Sequence, residues 1–84
     1  MNTVSHEAWQ RFLKEAVNGG AKVLEIGTSK ACIDFGTHAI EVGFSPVTGI
    51  HISRGFNFVT LAQGLGLFRA LALWEDRALH PERV

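Results

Sequence analysis

From Asn57 to His80 the chain carries a helical pattern with more apolar positions than one buried face can use. At a 3.6-residue period, Leu61, Leu65, Phe68, Ala72 and Leu79 form one stripe, and Leu67, Leu71, Trp74 and Ala78 form a second about 100° away. The pattern predicts a long helix over 57–80 that lays its first stripe on a sheet and needs another cover for its second. Leu67, Leu71 and Trp74 are therefore the expected self-association residues. Ala62, Gly66 and Ala70 recur at four-residue spacing and leave a strip without bulk, which suits close packing on the chain's own sheet or a helix–helix seam; the first is the simpler reading. Gly64 and Gly66 do not make a phosphate loop, since no apolar strand leads into them and the rest of that fingerprint is missing. Gln63 and Arg69 interrupt the apolar run, which is shorter than the ~20 residues of a membrane span, so no span is expected. His80 before Pro81 suits a helix end, where an imidazole meets the negative end of the dipole and proline stops propagation.

The rest of the chain supplies what this helix would cover. Ser5 is an N-cap with Glu7 in the first turn, and Trp9, Phe12, Leu13, Ala16 and Val17 follow at amphipathic helical spacing. Asn18-Gly19-Gly20 ends that helix, giving it a span of about 5–18. The period then changes to two: Leu24 and Ile26, Ile33 and Phe35, Ile40, Val42 and Phe44, and Ile50 and Ile52 alternate with smaller or polar residues over about 22–53. Turns are expected at Ser29-Lys30, at Gly36 to His38, and at Ser45-Pro46-Val47-Thr48-Gly49. The fold class that follows is α+β, a two-layer α-β-β-β-β-α arrangement: a four-stranded antiparallel meander covered on one face by an N-terminal helix and a long C-terminal helix.

The open face of that sheet is where the sequence places candidate contacts. Pairing Leu24 with Phe35, Phe35 with Ile40, and Val42 with Ile52 sets Glu25, Asp34, Glu41 and Ser53 in one outward row and Gly27, Cys32, Gly43 and His51 in the next. Adjacent carboxylates repel, so the row of acids reads as a docking face for a basic segment of a partner, with Glu25, Asp34, Glu41 and His51 as the contact residues. The bland alternative is a solvated face whose acids keep the sheet soluble. Cys32 and His51 share this face without an orienting third group and, in this register, stand two strands apart, about 10 Å between backbones. They carry the alternative reading, a small-molecule site or enzyme in a glycine-flanked gutter.

Length and composition bound the function. The 84 residues are read as a single compact domain over 1–84, whose small core makes association between chains a natural supplement. Eight basic and eight acidic residues cancel, which disfavours direct nucleic-acid binding. Four histidines and one cysteine show no paired metal-ligand spacing, so neither a metal nor a cofactor is expected. The start of the chain lacks a basic segment followed by an apolar core, and a lone cysteine fits a reducing cytoplasm. With no catalytic motif, the expected function is a small non-catalytic protein–protein interaction module. It belongs with inhibitors and adaptors of the kind encoded by phages and mobile elements, acts as a homodimer and docks on a larger protein.

Overall fold

A computed structural model of the chain describes residues 5–36, 38–54 and 61–83. The first helix, α1 (His6–Asn18), begins where the side chain of Ser5 accepts the Ala8 N–H at 3.2 Å. At its other end Ala21 N–H donates to the Ala16 carbonyl (3.1 Å) and Gly20 N–H to the Val17 carbonyl (3.0 Å), with Gly20 at φ 94°. This pair of bonds is the Schellman closure that a glycine in left-handed conformation permits.

Four strands follow: β1 (Lys22–Glu25), β2 (Lys30–Asp34), β3 (Ala39–Ser45) and β4 (Gly49–Arg54), hydrogen-bonded antiparallel in chain order. The expected α+β meander is what forms. Between β3 and β4 the register is also as expected, with Val42 opposite Ile52 and Gly43 opposite His51. Its turn is closed by Ser45 Oγ accepting the N–H groups of Val47 and Thr48 (3.2 and 3.4 Å) and by Gly49 at φ 86°. An irregularity between Glu41 and Val42 then sets Glu41 opposite Arg54.

The other two hairpins differ from the expected pairing. Ile33, not Phe35, faces Ile40, because Phe35 already belongs to the turn: its N–H donates to the His38 carbonyl (2.8 Å), and Asp34 Oδ1 accepts the Gly36 N–H (2.8 Å). That even displacement leaves each side chain on its expected face. The first hairpin is displaced by an odd number, pairing Leu24 with Cys32, and this turns β1 over. Val23 packs against the core, while Leu24 is 69% exposed. The cause lies at Ser29, whose carbonyl accepts the Phe44 N–H at 2.9 Å; this residue extends β2 toward β3 instead of making the tight turn, and the connection shifts back to 26–29.

The second helix, α2 (Leu61–Leu79), precedes one 3₁₀ turn (Pro81–Arg83). Its expected start at Asn57 lies outside the described residues. Its last turn closes with His80 N–H on the Asp76 carbonyl (2.8 Å), ahead of Pro81. The helices run antiparallel: Arg11 Nε donates to the Ala78 carbonyl (2.9 Å), Arg77 pairs with Glu15 (3.2 Å), and Gly19 lies over Trp74. A string of ring contacts joins the layers, from Phe44 to Trp9 (5.7 Å), Trp9 to Phe12 (5.9 Å), Phe12 to Trp74 (6.3 Å) and Trp74 to Phe35 (5.8 Å). Rings at such distances add about 0.5–1.5 kcal/mol per pair beyond the area they bury.

Among the described side chains of α2, it is the second stripe that enters the core. Leu71, Trp74 and Ala78 are buried in the core, whereas Phe68 is 47% exposed and Ala72 is also exposed. Trp74 has the largest surface to remove from water, and it finds a bed between Phe12 and Phe35 beneath a glycine. Leu67 is half-buried beside it. Leu71 and Trp74, the expected self-association residues, are taken up largely by the chain's own core and keep little surface for a second copy. Gly66 departs from its expected role too, since a Cβ placed there would meet nothing within 4 Å, so it does not serve close packing on the sheet.

Candidate functional site

The outer face of the sheet is not an acidic row. Because β1 is turned over, Glu25 projects on the helix side, at a groove that it lines with Arg11, Lys14 and Val17. Asp34 stands opposite Lys22, and Glu41 opposite Cys32. Ser53 Oγ donates to both the carbonyl and Oε1 of Glu41 at 3.1 Å. The expected acidic run is thus broken into one acid facing a lysine, one bonded to a serine, and one on the far face. The repulsion that would have called for a basic partner is absent from this arrangement.

The glycine-flanked gutter does not form either. Gly27 lies in the β1–β2 connection, and Gly43 is covered by the imidazole of His51, since a Cβ on Gly43 would stand 2.8 Å from His51 Nε2. Cys32 is half-buried in the row Leu24–Cys32–Glu41, and His51 belongs to the row of Lys30 and Gly43. The thiol and the imidazole occupy different rows on β2 and β4, too far apart for one to serve as base to the other. Among the described residues no three His, Cys, Asp or Glu side chains gather as ligands for a metal ion, and no helix is long and apolar enough to cross a membrane.

The structure opens a different site, on the helix side of the sheet. A cleft of about 500 Å³ lies between α2 and the β3–β4 pair, lined by Phe12, Val42, Ile50, His51, Ile52, Phe68, Leu71, Ala72 and Glu75. Val42, Ile50 and Ile52 come from the inward positions of their strands. Phe68, Leu71, Ala72 and Glu75 follow one another at i, i+3, i+4 and i+7 along α2, so one edge of the helix forms the facing wall. Glu75 is the one carboxylate of this lining. It is half-buried, makes no hydrogen bond or ion pair with a described residue, and burial pushes its pKa above the usual carboxylate range.

The sequence reading placed Ile50, Ile52, Phe68 and Ala72 on apolar faces but expected those faces to close on each other. Glu75 stands in a charged run with Asp76 and Arg77, which by itself suits return of the chain to water. The available signal was positional: Glu75 falls seven residues after Phe68 and four after Leu71, on the same edge of the wheel.

Comparison of the chain with protein-family models, with curated proteins and with solved structures gives no match.

Proposed function

We propose that this chain is a small non-catalytic protein–protein interaction module of the inhibitor or adaptor kind, which acts in the cytoplasm as a homodimer and docks on a larger protein. One observation carries the reading: α2 keeps an apolar surface after the core is complete, with Phe68 47% and Leu73 48% exposed and Ala72 exposed between them. Phe68 and Leu73 stand about 140° apart around the helix with Ala72 and Arg69 between them, a broad side of α2 on which exposed apolar side chains are available for association. The self-association residues move accordingly from Leu71 and Trp74 to Phe68 and Leu73. The outer sheet face, with Asp34, Glu41 and His51, remains for the larger partner as a surface of mixed charge. The alternative, chemistry at Cys32 and His51, draws no support from two groups held in separate rows.

Light scattering over a range of protein concentrations tests the reading. The wild-type chain is expected at twice the monomer mass, and Phe68→Glu combined with Leu73→Glu at the monomer mass with an unchanged circular dichroism spectrum. A wild-type chain that stays monomeric at every concentration would reject the homodimer.

A further inference from the structure

The cleft between α2 and β3–β4 has a chemical character of its own, and it leads beyond the interaction reading. Its volume, about 500 Å³, falls in the range of sites for small organic ligands, about 300–1,000 Å³. Phe12, Val42, Ile50, Ile52, Phe68 and Leu71 make its walls apolar. Among the described residues, no lysine or arginine lines the cleft; Arg11 donates to the Ala78 carbonyl and Arg77 pairs with Glu15. His51 also borders the cleft but lays its ring over Gly43, on the opposite face of the sheet. Glu75 is left as a half-buried carboxylate without a partner among the described residues.

These features select among ligands by charge. An anion entering the cleft would meet a like charge in a poorly hydrated place. A neutral apolar molecule would strip more water from Glu75 and return nothing to it. A cation attached to an apolar body removes the apolar walls from water and supplies the missing partner in one step. We propose that the cleft binds a small amphiphilic amine, with an aromatic or branched alkyl body between Phe68 and Ile52 and a single ammonium group against Glu75. A lysine side chain from a partner protein is a poorer match, since its four methylenes bring no bulk to a cavity of this size.

The test uses 4-phenylbutylamine as the probe and 4-phenylbutanol as its uncharged counterpart, each titrated into the ¹⁵N-labelled full chain. The amine is expected to give saturable shifts at the amides of Ile50, Ile52, Phe68 and Glu75, and to bind about tenfold or more tightly than the alcohol, the preference that one charge-assisted hydrogen bond provides. Glu75→Gln is expected to remove the preference for the amine. Ala72→Trp, at an exposed position on the wall, is expected to block both compounds while leaving the circular dichroism spectrum unchanged. Because Phe68 also belongs to the proposed association surface, the titration is repeated with the Leu73→Glu chain at a concentration where light scattering gives the monomer mass. The same shifts are expected there, which separates failure of the cleft from failure of the homodimer. Equal affinity for amine and alcohol, non-saturable shifts, or shifts confined to the Val17 groove would overturn the assignment.

Discussion

The two helices share one sheet and one core, yet they meet water differently. α1 buries Ala8, Trp9, Phe12, Leu13 and Ala16 and turns Glu7, Gln10, Lys14 and Asn18 outward, leaving Val17 as its one exposed large apolar side chain. α2 buries Leu71, Trp74 and Ala78 and still exposes Phe68, Ala72 and Leu73 beside Arg69 and Asp76. Its carboxyl-terminal part is held under α1 by Arg11, Glu15 and Gly19, whose partners are Ala78, Arg77 and Trp74. Residues 66–73 precede that sequence of contacts, and there the apolar surface stays open. A helix whose apolar positions match its buried face serves the fold alone; one with a surplus keeps apolar surface in water, the kind of surface a contact would use.

The largest effect that would sharpen this contrast concerns the two stripes of α2. Trp74→Ala is expected to destabilise the chain by about 3–5 kcal/mol, as removal of a buried large aromatic side chain does, and Phe68→Ala by less than about 1 kcal/mol at low protein concentration. Urea unfolding followed by circular dichroism measures both. Comparable losses would mean that α2 has no surplus face.

Next comes Gly19, at the helix–helix contact. An Ala there would place its Cβ 2.7 Å from Trp74 Cζ2, so Gly19→Ala is expected to cost about 1–3 kcal/mol through overpacking, although alanine is ordinarily the better residue near a helix. Gly66 gives the opposite sign. Its surroundings are open, and Gly66→Ala should stabilise the chain by about 0.5–1 kcal/mol through helix propensity alone. A cost at Gly66 in dilute solution would show that this part of α2 is not free. Thermal or urea denaturation reads both glycine variants.

The smallest effect is the pH dependence contributed by Glu75. Its pKa is raised by burial, so the folded chain holds that proton more tightly than the unfolded chain. The stabilisation this gives is complete below the ordinary carboxylate range and is lost as pH rises through the raised value, where folding must bury a charge. Glu75→Gln removes the dependence. The stability of the Gln variant relative to wild type should therefore increase from about pH 3 to about pH 7, with the other carboxylates cancelling in the difference. A difference that is flat with pH would mean that Glu75 is fully hydrated.

The sheet shows why some of this was legible in the residues and some was not. At β3–β4 the turn carries its own chemistry, a serine hydroxyl that takes two backbone N–H groups and a glycine at positive φ, so Val42–Ile52 could be read directly. Around Gly27-Thr28-Ser29 no residue demands one turn type, and Leu24 and Val23 are equally suited to an inward position. The choice fell to a hydrogen bond between Ser29 and Phe44, two strands away from β1, and with it went the side of the sheet on which Glu25 stands. An acidic row read from sequence was therefore only as secure as the weakest turn beneath it.

Local patterns determined the elements of this protein: a capped amphipathic helix closed at Gly20, a run of four alternating strands, and a helix with two apolar stripes ended at Pro81. They determined these because periodicity, capping and turn chemistry act over a few residues. Which stripe of α2 enters the core, which face of β1 looks outward, and the cleft that leaves Glu75 half-buried were decided only in the tertiary structure. Each depends on shape matched across distant parts of the chain, with Trp74 seated beneath Gly19 and between Phe12 and Phe35, and a helical spacing is the same whichever stripe turns inward.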